Sequence, residues 1–326
     1  MAIVWSANCW RRCRCRESRH RGWSGATGVT DGITPTLAEL VALRALAGGR
    51  RNARLGRHGI SGQSLSPLRG RGMEYAESRE YIAGDDARHI DWRVTARTGR
   101  AHSKVYQAER ERLSLIVADT APSLYFGTRV RFKSVQAARA GAIAAWAAAR
   151  DGDRIAALRG SDREPPVTPA GGPRGALRVL DALARWYARP PPDDAGLAVA
   201  LDHAQRLLRP GSRLIVLADP HSVAELPARR WPVLAQHHEV IVLLLTDPLE
   251  LAPPAATLPF RSGGARVELD LGDANRRQRW NVEFTRPLEA ALESLPARGV
   301  RVQTLSTDAP SDSWLPLLGR ARPMVA

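Results

Sequence analysis

The stretch GRGMEYAESREYIAGDDARHIDWRVTARTGRAHSKVYQAERE, Gly70 to Glu111, is followed almost at once by LSLIVAD, Leu113 to Asp119. The first string gathers acids, arginines, tyrosines and Trp92 around Gly84-Asp85-Asp86, a turn signal. The second is a nearly continuous apolar run ending in an acid, the pattern of a strand buried on both faces of a parallel sheet. A charged, β-rich lead-in therefore runs into the first strand of an α/β body.

Working outward, the alternation continues. Apolar strands are predicted at 154–158, 213–218, 240–245 and 300–305, with a short one at 266–271 after a Pro-rich loop. Helices are predicted over 132–150, 177–188, 197–208, 231–236 and 282–297, and 161–175 reads as a Pro/Gly loop. Strands that alternate with helices imply a doubly wound, mostly parallel α/β sheet, here with a β-rich N-terminal extension. Upstream, Leu37, Leu40, Val41, Leu43 and Leu46 follow helical spacing. Thr36 and Glu39 fit a capping box, and Gly48-Gly49 is the stop. Arg44 lies near the apolar face and must snorkel outward. Tyr81-Ile82 and Lys104-Val105-Tyr106 read as short strands, and 87–96 as a short helix around Ile90 and Trp92. The chain thus divides into a disordered basic leader (1–33), an N-terminal helix with a β-rich signature region (34–112) and an α/β domain (113–326).

The 326 residues suffice for a sizeable core, and no apolar run reaches the ~18 residues of a membrane span. A cytoplasmic protein is expected. The formal charge of +15 points first to nucleic acid, yet the basic residues are almost all Arg, only Lys104 and Lys133 being lysines. That fits a compositional bias. No basic–aromatic alternation builds a stacking platform, so no nucleic-acid partner is expected. Cys9, Cys13 and Cys15 all fall in the leader with Arg11, Arg12, Arg14, Arg16, Arg19 and Arg21. The body has no cysteine for a disulfide framework.

Ligands of open parallel sheets bind outside the carboxyl ends of the strands. Three predicted strands run into an acid there: Asp119, Asp219 and Asp247. Asp119 with Ser123 offers oxygens for a small hard cation, but Ala121 between them has no lone pair to give. The plain alternative is that Asp119 caps the following turn. In the lead-in, Asp85, Asp86 and Asp91 stand among Arg79, Arg88, Arg93 and Arg97, a set suited to bidentate ion pairs. The expectation is a network that locks the lead-in onto the body, with Tyr81 and Trp92 as packed anchors, or a presented docking surface. The arginines disfavour proton donation by these acids. No nucleophile–base pair, phosphate-cradling loop or dinucleotide fingerprint is present, so no catalytic residue and no enzyme are expected.

Three strings, RGRGMEYAESREY (69–81), GDDARHIDWRVTARTGR (84–100) and FKSVQAARAGAIAAWAAARDGDR (132–154), closely resemble the signature of the bacterial family catalogued as domain of unknown function fifty-eight. The segment 113–127 with the following helix resembles the first strand and metal-site loop of a von Willebrand factor type A domain. The family resemblance implies a non-enzymatic partner of a MoxR-type AAA ATPase in assembly or maturation of a client protein complex. It also implies a metal-ion-dependent adhesion site on Asp119, Ser123 and Asp219. That site is degenerate here: the middle Ser of Asp-x-Ser-x-Ser is Ala121, and the Thr position falls near Ala195-Gly196, without a hydroxyl. No cofactor is expected beyond weak Mg²⁺. Gly84 and the lead-in residues named above carry the interaction or structural role. The rival reading is a divalent-metal-dependent hydrolase using Asp119, Asp219 and Asp247.

Overall fold

The computed structural model describes residues 32–48, 69–82, 85–107, 112–262 and 265–319. The expectations for the leader, for Gly84 and for most of the loop after Gly48 lie outside the described residues.

A six-stranded sheet forms the centre, made of β3 (Leu113–Ala118), β4 (Arg154–Arg159), β5 (Val167–Gly171), β6 (Arg213–Ala218), β7 (Glu239–Thr246) and β10 (Arg301–Ser306), in the order β10-β7-β6-β3-β4-β5. All neighbours pair in parallel except β4 and β5. The predicted α/β class and mostly parallel sheet are therefore present. The antiparallel edge strand β5 replaces part of the predicted 161–175 loop. Its residues are half-buried or exposed and include Pro169 and Gly171, so it lacks the apolar run by which a buried strand is read.

Period-2 alternation on the apolar strands feeds both layers. Ile116, Ile215, Leu217, Ile241 and Leu243 face a core shared with α3 (Lys133–Asp151) and α4 (Gly172–Trp186). Leu115, Val117, Leu214, Val216 and Val242 face one shared with α5 (Gly196–Leu207), α7 (Arg230–His237) and α9 (Ala274–Ala297). The alanines of α3 let it lie close: a Cβ on Gly141 would stand 2.8 Å from Leu183 Cδ1 and 3.0 Å from Leu217 Cδ1.

The N-terminal helix is shorter than its apolar spacing suggests. α1 (Leu37–Ala42) gives way to a 3-10 turn, Leu43–Gly48. Thr36 Oγ1 accepts from Glu39 N–H at 3.3 Å, but the Glu39 carboxylate pairs with Arg139 on α3 instead of completing a capping box. Leu40, Leu43 and Ala47 belong to the core of the α/β body, and the Trp146 indole donates to Leu40 O. Arg44 lies over the Trp146 ring at 5.3 Å, its guanidinium accommodated on the aromatic face.

The lead-in is a two-stranded antiparallel hairpin, β1 (Arg69–Glu80) with β2 (His102–Gln107). Tyr81-Ile82 falls just past β1. The predicted helix at 87–96 is split: Ala87–His89 is a 3-10 turn, Ile90 bridges Ser103, and α2 (Trp92–Thr98) starts anew on its Asp91 cap. The predicted 266–271 strand is β9 (Ala265–Asp270), which pairs with β8 (Thr257–Ser262) outside the central sheet and packs through Phe260 and Leu271 on Trp280. Two short helices, α6 (Pro220–Ala224) and α8 (Pro248–Leu251), open directly at the ends of β6 and β7. Among the described residues, no helix is long and apolar enough to cross a membrane.

Candidate functional site

From β3 the chain moves to β4 and β5 on one side, then crosses to β6 on the other side of β3. This reversal is the topological switch point, and the crevice beyond the carboxyl ends of β3 and β6 is where such sheets hold ligands. Asp119 and Asp219 both stand there, nearly inaccessible to solvent.

Asp119 is saturated by its surroundings. Its Oδ1 accepts from Ala121 N–H and its Oδ2 from Asp219 N–H, both at 3.0 Å. The first of these is the turn cap anticipated from the sequence. Burial pushes its carboxyl up to about 6, against the opposing pull of the Ser222 hydroxyl and the two backbone donors. Asp219 caps α6 through His221 N–H at 3.0 Å, and its Oδ2 accepts from Lys133 Nζ at 2.6 Å. Ser123 sits half-buried in the 3-10 turn Pro122–Leu124. Of the three proposed metal ligands, then, the fold brings the two aspartates together through their own backbone.

The unforeseen residue is Lys133. It opens α3, is about 1% exposed, and places Nζ 2.6 Å from both Asp219 Oδ2 and Glu250 Oε1. Burial disfavours its charge, but the two carboxylates outweigh burial and hold the ammonium above its usual value. Burial would likewise raise Asp219, and Lys133 reverses that, so its carboxyl lies below the usual value. Glu250 is raised to about 7 by burial and by the Asp219 charge, despite Lys133. One cation is thus shared by two acids, with Asp219 the ionised partner.

Asp247, the third strand-end acid, is a structural knot. It accepts from Thr128 N–H at 2.9 Å, Thr128 Oγ1 at 2.5 Å, Leu249 N–H at 3.0 Å and Thr307 Oγ1 at 2.7 Å. Its N–H donates to Glu250 Oε2 at 2.9 Å, closing a capping box on α8. The tight loop that brings Thr128 here needs Gly127, where a Cβ would stand 2.2 Å from Arg131 O. Among the described residues, no group of three or more His, Cys, Asp or Glu side chains could hold a metal ion.

This cluster has a pH signature. For Glu250 and Asp119 the folded-state values, about 7 and about 6, exceed the ordinary values of 4.5 and 3.8. The folded state binds their protons more tightly, so their ionisation costs stability above pH 7, and that cost disappears as pH falls towards 4.5. Asp219 acts oppositely, but only below 3.8. Calorimetric melting should therefore show this site's contribution rising from pH 8 to pH 5.5 by about 1–3 kcal/mol, at ~1.4 kcal/mol per pKa unit. Glu250→Gln should flatten the part near pH 7; a variant profile parallel to wild type would contradict the assignment.

The signature residues divide by direction. Arg79 pairs with Asp85 at 2.6 Å, while Asp85 Oδ2 accepts from Ile82 N–H and the Tyr81 hydroxyl donates to Asp85 O. Asp86 accepts from Arg88 N–H. Asp91 is buried, accepting from Arg93 N–H, Val94 N–H and the Ser78 hydroxyl. The acids thus close turns and helix ends, and of the predicted network the Arg79–Asp85 pair is present. The ion pairs Arg79–Asp85 and Arg100–Glu80 both close within the region and do not reach the body. Arg88, Arg93 and Arg97 are exposed and in no ion pair among the described residues. Trp92, expected as a packed anchor, is 71% exposed: α2 turns its Asp91 cap, Val94 and Thr95 inward and leaves Trp92 outside.

Comparison with known proteins places these features in a family. The family described as "Protein of unknown function DUF58" matches residues 77–289. Uncharacterized proteins of Mycobacterium bovis and of two strains of Mycobacterium tuberculosis are each 32% identical over 199 residues, covering 60% of this chain and 62% of theirs. The chain thus spans about three fifths of the length of these relatives. No solved structure matches it.

Proposed function

The chain belongs to the family of proteins of unknown function DUF58, and from that premise we propose that it is a non-enzymatic protein-interaction module working with a MoxR-type AAA ATPase on a client complex. On this reading the α/β body is a von Willebrand factor type A-like scaffold, and the hairpin with α2 is the part presented to partners. The resemblance of the signature strings supports the choice of ATPase.

The observation that carries the non-enzymatic reading is Lys133 Nζ, 2.6 Å from both Asp219 and Glu250. A fixed ammonium stands where the switch-point acids would otherwise draw a cation, and Asp119 spends both oxygens on backbone donors. Such a cluster braces strand ends. The juxtaposition of Asp119 and Asp219 at a switch point favours the rival metal-dependent hydrolase.

The test is reciprocal affinity purification from native extract, with the chain and the ATPase each tagged in turn, in ATP, ADP and nucleotide-free buffer. Co-recovery in at least one nucleotide state is expected. Absence of any AAA ATPase in all three would overturn the partnership.

A further inference from the structure

The direction of the signature's charges says more than its composition. The carboxylates of Asp85, Asp86 and Asp91 each accept from backbone N–H groups, Asp85 also from Arg79 and Asp91 also from the Ser78 hydroxyl. The guanidinium-bearing side chains of Arg88, Arg93 and Arg97 remain exposed. The helix α2 itself carries Arg93 and Arg97 and no acid, so it displays a basic face. On α2 with Arg93 and Arg97, Trp92 is 71% exposed, and Ile82, just past β1, is 62% exposed. Exposed Trp and Arg together are the side chains that dominate protein–protein hot spots. A surface shaped only by solubility would hide the indole.

We infer that the outward face of α2 docks an acidic polypeptide segment of the partner that also carries an apolar anchor for Trp92. Charge complementarity selects the acidic segment, since three exposed arginines in no ion pair among the described residues attract and orient carboxylates bidentately. The indole supplies the apolar contact that a polyanion alone would not need. The inference rests on the proposed function for the identity of the partner, but not for the chemistry of the surface.

Two arms test it on the full chain. In the first, binding to the purified MoxR-type ATPase is measured by biolayer interferometry for wild type, Trp92→Ala and Arg93→Glu/Arg97→Glu, with circular dichroism melts confirming that the variants are folded. Each variant should bind at least tenfold more weakly, and the double variant should also lose much of its salt dependence. Wild-type affinity in both variants would overturn the docking surface while leaving the partnership standing. In the second arm, poly-L-glutamate and a DNA duplex replace the ATPase. Arg93→Glu/Arg97→Glu should lose at least threefold in polyglutamate affinity. Unchanged polyglutamate binding overturns the inference whatever the ATPase does, and a loss confined to the DNA duplex reassigns the surface to nucleic acid and overturns it too.

Discussion

Lys133→Met is expected to destabilise the folded chain by about 3–5 kcal/mol, since removing one partner of a buried ion cluster leaves the remaining charges unpaired in a dry interior. Asp219 and Glu250 both lose a 2.6 Å donor. Their other hydrogen bonds, from His221 N–H and Asp247 N–H, remain and cannot neutralise two carboxylates. Glu250 will take a proton first, its carboxyl already being the raised one. The melting midpoint should fall by about 10 °C, at a few degrees per kcal/mol for a body of this size. The triple variant Lys133→Met/Asp219→Asn/Glu250→Gln separates charge from packing. It should recover at least half of the loss, because a neutral cluster of similar volume has no unpaired charge to desolvate. A single variant as stable as wild type would remove Lys133 from its place in the fold.

Asp247→Ala is the second large effect, at about 3–4 kcal/mol. Four donors from three separate segments converge on that carboxylate. Each donor left unsatisfied in the interior costs about 1–3 kcal/mol before relaxation and water entry reduce the sum. The damage should be directional. Hydrogen exchange should accelerate in the loop at Thr128 and at the end of β10 beside Thr307, while β4 and β5, on the far side of the sheet, keep their protection. Asp247→Asn should cost less, since its remaining oxygen still accepts from Thr128 Oγ1 and Leu249 N–H. Uniform loss of protection in Asp247→Ala would mean that Asp247 stabilises the body globally and does not tie these three segments locally.

What was legible in the sequence follows the physics of burial. β3, β6, β7 and β10 are apolar runs between helices, and the structure places them within a residue or so of their expected bounds. The acids at the tips of β3, β6 and β7 were legible for the same reason, because an Asp at the end of a buried strand breaks the run. β5 and β8 were not, since half-exposed strands containing proline carry neither alternation nor a continuous run. Lys133 was hidden by distance. Its two acids lie 86 and 117 residues away, and in isolation Phe132-Lys133-Ser134 reads as an ordinary helix start. One signal was available: it is one of only two lysines in a chain that otherwise uses arginine. The compact ammonium stands 2.6 Å from both carboxylates as a point charge, a geometry that a planar guanidinium fork does not reproduce. Trp92 misled in the opposite sense. A tryptophan amid charges looks like an anchor, and only the cap at Asp91 fixes which way α2 faces.

The claim on which the rest depends is that the switch-point acids are satisfied by the chain itself, Asp219 by the Lys133 ammonium and Asp119 by backbone donors. Isothermal calorimetry of Mg²⁺ and Mn²⁺ into the purified full chain tests it most directly, with Asp119→Ala as the control. No saturable heat is expected from wild type at submillimolar metal, and the Asp119→Ala trace should match it. A one-site binding heat in wild type that vanishes in Asp119→Ala would contradict that claim and restore the metal-dependent hydrolase.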